Sequence, residues 1–169
     1  MTRHARIPPT REVFYSPTLG SIAATTTGAH VGYLLDANGE NCNIEVYVPW
    51  DFKELLELVL VVIPVTAQFQ QNMFVSVFCE YAKKNQASTE NNVDNAAGVP
   101  IRHQWQAVAG SIQEIDISDM VSKTNTFADR GLEAGDYLGV DVERNAVNVD
   151  NTNARIIGVR MRYKVFRGK

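Results

Sequence analysis

Over residues 135–166 the chain alternates between apolar and polar side chains twice. Leu138, Val140 and Val142 share one parity, and Tyr137, Gly139, Asp141 and Glu143 the other. Further on, Ile157, Val159, Met161, Tyr163 and Val165 alternate with Gly158, Arg160, Arg162 and Lys164. Strand side chains point to opposite faces at period two, so both runs predict half-buried strands. The segment between them, 145–153, is almost all Asn, Asp and small residues, which is turn chemistry. Together they predict a long β-hairpin with one apolar and one charged face.

The rest of the chain carries shorter versions of the same pattern. Residues 31–35 predict a strand, and Asn38-Gly39 behind it is a hairpin signal. Cys42, Ile44, Val46 and Val48 alternate with Asn43, Glu45 and Tyr47 until Pro49-Trp50-Asp51 ends the run. Asp51 with Glu54 three positions on predicts a helical turn over 51–56. The apolar, β-branched run 58–65 predicts a strand buried on both faces, with Pro64 at an edge, bulge or end. A strand over 74–81 puts Val75, Val77, Cys79 and Tyr81 on one face and Phe74 and Phe78 on the other, either as a contact patch or beneath a cover. Residues 83–102 are long, polar and Asn/Ala-rich, which predicts an interaction loop. Strands around Trp105 and over 111–117 follow, then one helical turn at 118–122 and a connector over 125–136. About seven or eight short strands with little helix predict an all-β fold: an antiparallel β-sandwich, jelly-roll-like. Pro8, Pro9 and Pro17 predict an extended N-terminal arm over 1–20, ahead of a single sandwich domain over 21–169.

Composition adds limits. The chain has 169 residues, enough for one domain with a sizeable core. No apolar run reaches the roughly 18 residues of a membrane helix, so no membrane partner is expected. Arg3, His4 and Arg6 are not followed by an apolar stretch, so a cleaved secretory signal is not expected, and the site of synthesis is expected to be a cell's cytoplasm. Formal charge is −3 overall, with +2 on residues 1–20 and +6 on residues 155–169, which leaves −11 on the residues between. The basic ends are therefore expected to meet acidic surfaces of neighbouring copies or of another protein. An acidic total with no nucleic-acid motif argues against nucleic acid as the primary partner. Cys42 and Cys79 both fall on apolar parities and read as buried free thiols, with a disulfide as the alternative.

Candidate chemistry is sparse. His4, His30 and His103 show no metal-ligand spacing, and neither a phosphate loop nor a nucleophile elbow is present. Asp36 with Glu40 and Asp116 with Asp119 read as turn and cap residues rather than catalytic pairs. Asp141 and Asp150 match no calcium loop. No catalytic residue, no metal site and no cofactor is expected. Trp50, Trp105 and the tyrosines read as core anchors, or as platforms that stack on sugar rings.

The run from Val46 through Pro49-Trp50-Asp51 to Val65, and the ending Gly135-Asp-Tyr-Leu-Gly-Val140 with Ile157-Gly-Val-Arg-Met-Arg-Tyr163, resemble small β-sandwich virion proteins of tailed bacteriophages and related prokaryotic viruses. These stretches span less than half of the chain. The resemblance implies a non-enzymatic, jelly-roll-like structural protein on the virion surface. It further implies a homotrimer attached to a major capsid or other virion protein as decoration, cement or spike. On this reading the assembly interface is Arg3, Arg6, Pro8, Pro9, Arg11, Phe14 and Tyr15 of the arm, with Arg160, Arg162 and Lys164 on the basic strand face. The alternative is a carbohydrate-binding module for host adhesion, which requires an exposed Trp or Tyr at a loop end. A small hydrolase or isomerase would require His30, His103 and a carboxylate to converge.

Overall fold

Strands form where the alternation predicts them, but most connections between them cross from one sheet to the other. The computed structural model of the chain describes residues 9–21, 24–27, 29–65, 72–82, 91–93, 101–104, 110–121, 132–144 and 153–166. In chain order the strands are β1 (Thr10–Tyr15), β2 (Leu19–Gly20), β3 (Ala24–Thr27), β4 (His30–Leu35), β5 (Asn41–Tyr47) and β6 (Phe52–Pro64). They continue as β7 (Asn72–Ala82), β8 (Asn91–Val93), β9 (Ile101–Gln104), β10 (Gln113–Asp116), β11 (Tyr137–Arg144) and β12 (Ala154–Val165). One sheet runs β10-β6-β12-β4-β3, with β1 also on β12; the other runs β2-β5-β11-β7-β8, with β9 also on β7. Every pairing is antiparallel. The fold is an all-β antiparallel sandwich.

The predicted hairpin over 135–166 is not one. β11 lies between β5 and β7 in the second sheet, whereas β12 lies at the centre of the first. Both runs are half-buried, and both send their apolar parity into the same core: Leu138, Val140 and Val142 from one side, and Val159, Met161 and Tyr163 from the other. Alternation has the same form in a hairpin and in two strands facing across a sandwich, so it cannot distinguish them. The Asn38-Gly39 turn behaves alike. Gly39 takes a left-handed φ of 76°, as a tight turn requires, yet the turn joins β4 of one sheet to β5 of the other. The helical turn predicted at 51–56 is also replaced: β6 begins at Phe52 and stays extended to Pro64, because Phe52 and Leu58 gain more from the core than a marginal single turn would return. Pro64 stands at the strand end, where its missing donor costs no ladder bond.

Residues 10–15 and 19–20, expected within an arm, are extended but join the body. β1 pairs with β12 from Thr10↔Lys164 to Tyr15↔Val159, and β2 pairs with β5. Residues 10–15 and 19–20 are thus strands of the two sheets. Residues 91–93 and 101–102, expected within one polar loop, lie in strands β8 and β9, which pair with β7. Arg3, Arg6, Pro8, His4 and Trp105 lie outside the described residues, as does the loop 145–152. Cys42 and Cys79, on the two neighbours of β11, are buried and free, and burial pushes both thiols up to about 12.

Gly158 is fixed by close approach. β12 carries a bulge between Ile156 and Gly158, which moves Ile157 to the outer face beside Val59, Val61 and Ile63 and keeps Ile156 and Val159 inward. A Cβ at Gly158 would lie 2.2 Å from the Tyr15 carbonyl oxygen and 2.8 Å from the Phe14 ring. The obstacle is backbone of β1, so it cannot rotate aside. Gly158→Ala is expected to lower unfolding free energy by about 1–3 kcal/mol, measured by urea denaturation. A destabilisation within error of zero would mean that β1 does not approach β12 this closely.

Candidate functional site

Aromatic residues gather at one end of the sandwich, around the turn between β5 and β6. β5 ends at Tyr47, Pro49 blocks its continuation, and Trp50 stands at the tip of the turn before Asp51. The turn is pinned by backbone bonds on all sides. The Phe52 N–H donates to the Pro49 carbonyl at 2.9 Å, and the Phe166 N–H donates to the Asp51 carbonyl at 2.9 Å. The Val48 N–H donates to the Asp136 carbonyl and the Gly135 N–H to the Val48 carbonyl, each at 2.9 Å. The Trp50 side chain nevertheless remains 80% exposed. Tyr47 and Tyr137 sit opposite each other in the β5–β11 register, with ring centroids 5.3 Å apart and planes tilted by 57°. Both are exposed, as is Phe166. An isolated apolar side chain at a surface needs no explanation, but four exposed aromatics on segments that these backbone bonds hold at one end have the character of a contact site.

Beneath the patch lies a buried charge. Asp51 is 9% exposed. One carboxylate oxygen accepts from Arg11 Nη1 at 2.7 Å and the other from the Tyr163 hydroxyl at 3.1 Å. A buried carboxylate is tolerable only when paired and hydrogen-bonded, and these two contacts meet that need. Tyr163 is itself fully inside the core, its ring 5.6 Å from that of Phe52. Burial, and then the bond to Asp51, push its phenol above the ordinary range. The Tyr15 hydroxyl donates to the Tyr47 carbonyl, crossing from the first sheet to the second. Burial and the neighbouring Tyr163 and Tyr47 push Tyr15 up to about 12.

The residues expected at an assembly interface divide into two places. Arg11 and Tyr15 project from β1 to the aromatic end. Phe14, 46% exposed, lies on the opposite face of β1 with Glu12. Pro9 is exposed just ahead of β1. Arg160, Arg162 and Lys164 line the outer face of β12, but their charges meet carboxylates of their own chain. Arg160 bonds Glu12 at 2.9 Å, Glu57 at 3.2 Å and Glu114 at 2.7 Å; Arg162 bonds Glu57 at 3.2 Å, and Lys164 bonds Glu54 at 2.8 Å. The basic run of the sequence is thus interleaved with acids from β1, β6 and β10, because the register places each cation beside a carboxylate on a neighbouring strand. The bonds to Glu114 and Glu12 hold the Arg160 guanidinium protonated even beyond its usual range.

His30 is exposed on β4, and the side chain of His103 is outside the described residues. Among the described residues no group of three or more His, Cys, Asp or Glu is placed to hold a metal ion, and no helix is long and apolar enough to cross a membrane. The Arg11–Asp51 pair escaped sequence reasoning, since forty residues separate two ordinary charged positions. Trp50 carried a signal: a Trp in a Pro-Trp-Asp turn has left the strand period that would bury it.

No family model and no curated protein matches the sequence. Two solved structures align with the chain. One is the carbohydrate-binding module CBM36 in complex with calcium and xylotriose, at TM-score 0.46 and 12% identity, over 90% of this chain and 98% of that one. The other is the CBM36-1 domain of a multidomain xylanase from the hindgut metagenome of Trinervitermes trinervoides, at TM-score 0.47 and 10% identity, over 95% and 100%. The expectation of a bacteriophage virion or capsid-decoration protein is corrected: these two solved structures are carbohydrate-binding modules and not virion proteins.

Two measurements probe this geometry. Replacing Arg160 with Met leaves Glu12, Glu57 and Glu114 facing one another without their cation. Stability is expected to fall by about 1 kcal/mol at low ionic strength, and by less in 1 M salt as the repulsion is screened; urea titrations at both salt levels check this. The second concerns alkaline pH. The Tyr15 phenol ionises near 10 when unfolded and at about 12 in the fold. Between those values the folded chain holds the extra proton, so stability falls as pH rises. The contribution is complete below pH 10 and is lost through pH 12. The two buried thiols add a fall of the same sign starting near pH 9. Tyr15→Phe is expected to flatten the decline between pH 10 and 12, followed by thermal melts; an identical pH profile would remove Tyr15 from its cause.

Proposed function

We propose that the protein is a non-catalytic carbohydrate-binding module whose ligand stacks on Trp50. The supporting observation is that Trp50 is fixed at its backbone and 80% exposed at its ring. A folded chain has little reason to hold its largest apolar side chain in water unless that surface is covered at work. A pyranose ring suits such a surface: its axial C–H face is apolar and its rim carries hydroxyls. Tyr47 and Tyr137 at the same end of the sandwich offer hydroxyls for that rim, and Phe166 adds apolar surface. Binding sites commonly combine an aromatic floor with a few convergent polar groups in this way.

A glycan array, followed by calorimetry with xylohexaose, cellohexaose and mannohexaose, tests the reading. At least one glycan class is expected to bind, and Trp50→Ala is expected to weaken it by about tenfold or more, equivalent to about 1.4 kcal/mol. Absence of any bound glycan, or full affinity retained by Trp50→Ala, would overturn it.

A further inference from the structure

β1 differs from the other long strands in what holds it. Its ladder with β12 is complete from Thr10 to Tyr15, yet most of its side chains are exposed, and only Val13 and Tyr15 pack against the core. Two side chains of the Val13 parity also reach the turn, Arg11 while remaining largely exposed. Arg11 reaches the carboxylate of Asp51, the residue after Trp50, at 2.7 Å. Tyr15 reaches the carbonyl of Tyr47, three residues before Trp50. These two contacts bracket the turn that bears the aromatic patch, one from each side.

The geometry points to Arg11 and Tyr15 as positioning residues that hold Trp50 and Tyr47 ready for a ligand, so that β1 belongs to the binding site without touching what is bound. Its consequence for affinity rests on the carbohydrate-binding reading; its mechanical part does not. An indole that is 80% exposed has little packing of its own to lock it. Its orientation is inherited from the turn, and the turn is held at Asp51. Without Arg11, that buried carboxylate keeps only the Tyr163 hydroxyl and moves toward water. Without Tyr15, the end of β5 loses its tie to the opposite sheet. A ligand would then meet a turn that still has to be ordered, and affinity drops by that ordering cost. Linkage makes the effect reciprocal: a ligand seated on Trp50 tightens β1.

The full chain labelled with 5-fluorotryptophan tests this without a ligand. The Trp50 fluorine resonance is assigned by its loss in Trp50→Phe. In the double variant Arg11→Ala/Tyr15→Phe it is expected to shift or broaden, and the amides of Val48 and Phe52 to exchange with deuterium about tenfold faster or more. Arg11→Lys, which keeps a cation for Asp51, is expected to restore both signals. Should the double variant not fold, Arg11→Gln takes its place. An unchanged resonance with unchanged exchange would overturn the proposal. In the second arm, the double variant is titrated with whichever of xylohexaose, cellohexaose or mannohexaose binds the wild type. A fall in affinity of about tenfold supports the role in binding, and an unaltered affinity overturns it. If no glycan binds the wild type while the fluorine and exchange signals respond, the carbohydrate reading fails and the positioning of Trp50 by β1 stands.

Discussion

Two strands that follow each other in sequence, β11 and β12, must each bury one face, and they do so by facing each other across the core. That constraint organises the rest. β11 gathers β5 and β7 beside it, and β12 gathers β6 on one edge and β4 and β1 on the other. Each fully buried Leu, Ile, Val or Met on these faces is worth about 1.5–3 kcal/mol. No single surface charge in the molecule competes with that. Paired as a simple hairpin, the two strands would leave both apolar faces on one side of one sheet and would need another layer to cover them.

Crossing connections have a second consequence: they concentrate turns at the ends of the sandwich. The turn from β5 to β6 passes from one sheet to the other over the open end of the core, where Asp51 meets Arg11 and Tyr163. There the chain holds a carboxylate nearly out of water and an indole nearly all in water, on adjacent residues. The first locks the turn and the second makes use of it. The outer face of the β12 sheet follows a different logic. Arg160, Arg162 and Lys164 there meet Glu12, Glu54, Glu57 and Glu114, so cations that read as a basic face in the sequence sit among carboxylates of their own chain.

The virion reading leaned on strand patterns and on the basic C-terminal run. Strand patterns of this kind belong to sandwiches at large, and register pairs Arg160, Arg162 and Lys164 with carboxylates of their own chain. Of the interface expected from sequence, Arg11 and Tyr15 do cluster, but around an aromatic turn on their own chain. Trp50 was legible as a residue outside the strand period. The other exposed aromatics of that end were not, because Tyr137 and Phe166 reach it only once β11 and β12 are placed in opposite sheets.

The sequence by itself determined most of the long strands and, outside the β12 bulge, which parity of them is buried, since period two and β-branching act locally. It determined the sandwich class, because many short strands with apolar faces have few ways to cover them. Tertiary structure alone decided which sheet each strand joins, which charges meet, and that Trp50 is presented rather than buried. Those depend on contacts between residues far apart in the chain, and a one-dimensional pattern contains no record of which distant strand supplies the other half of each contact.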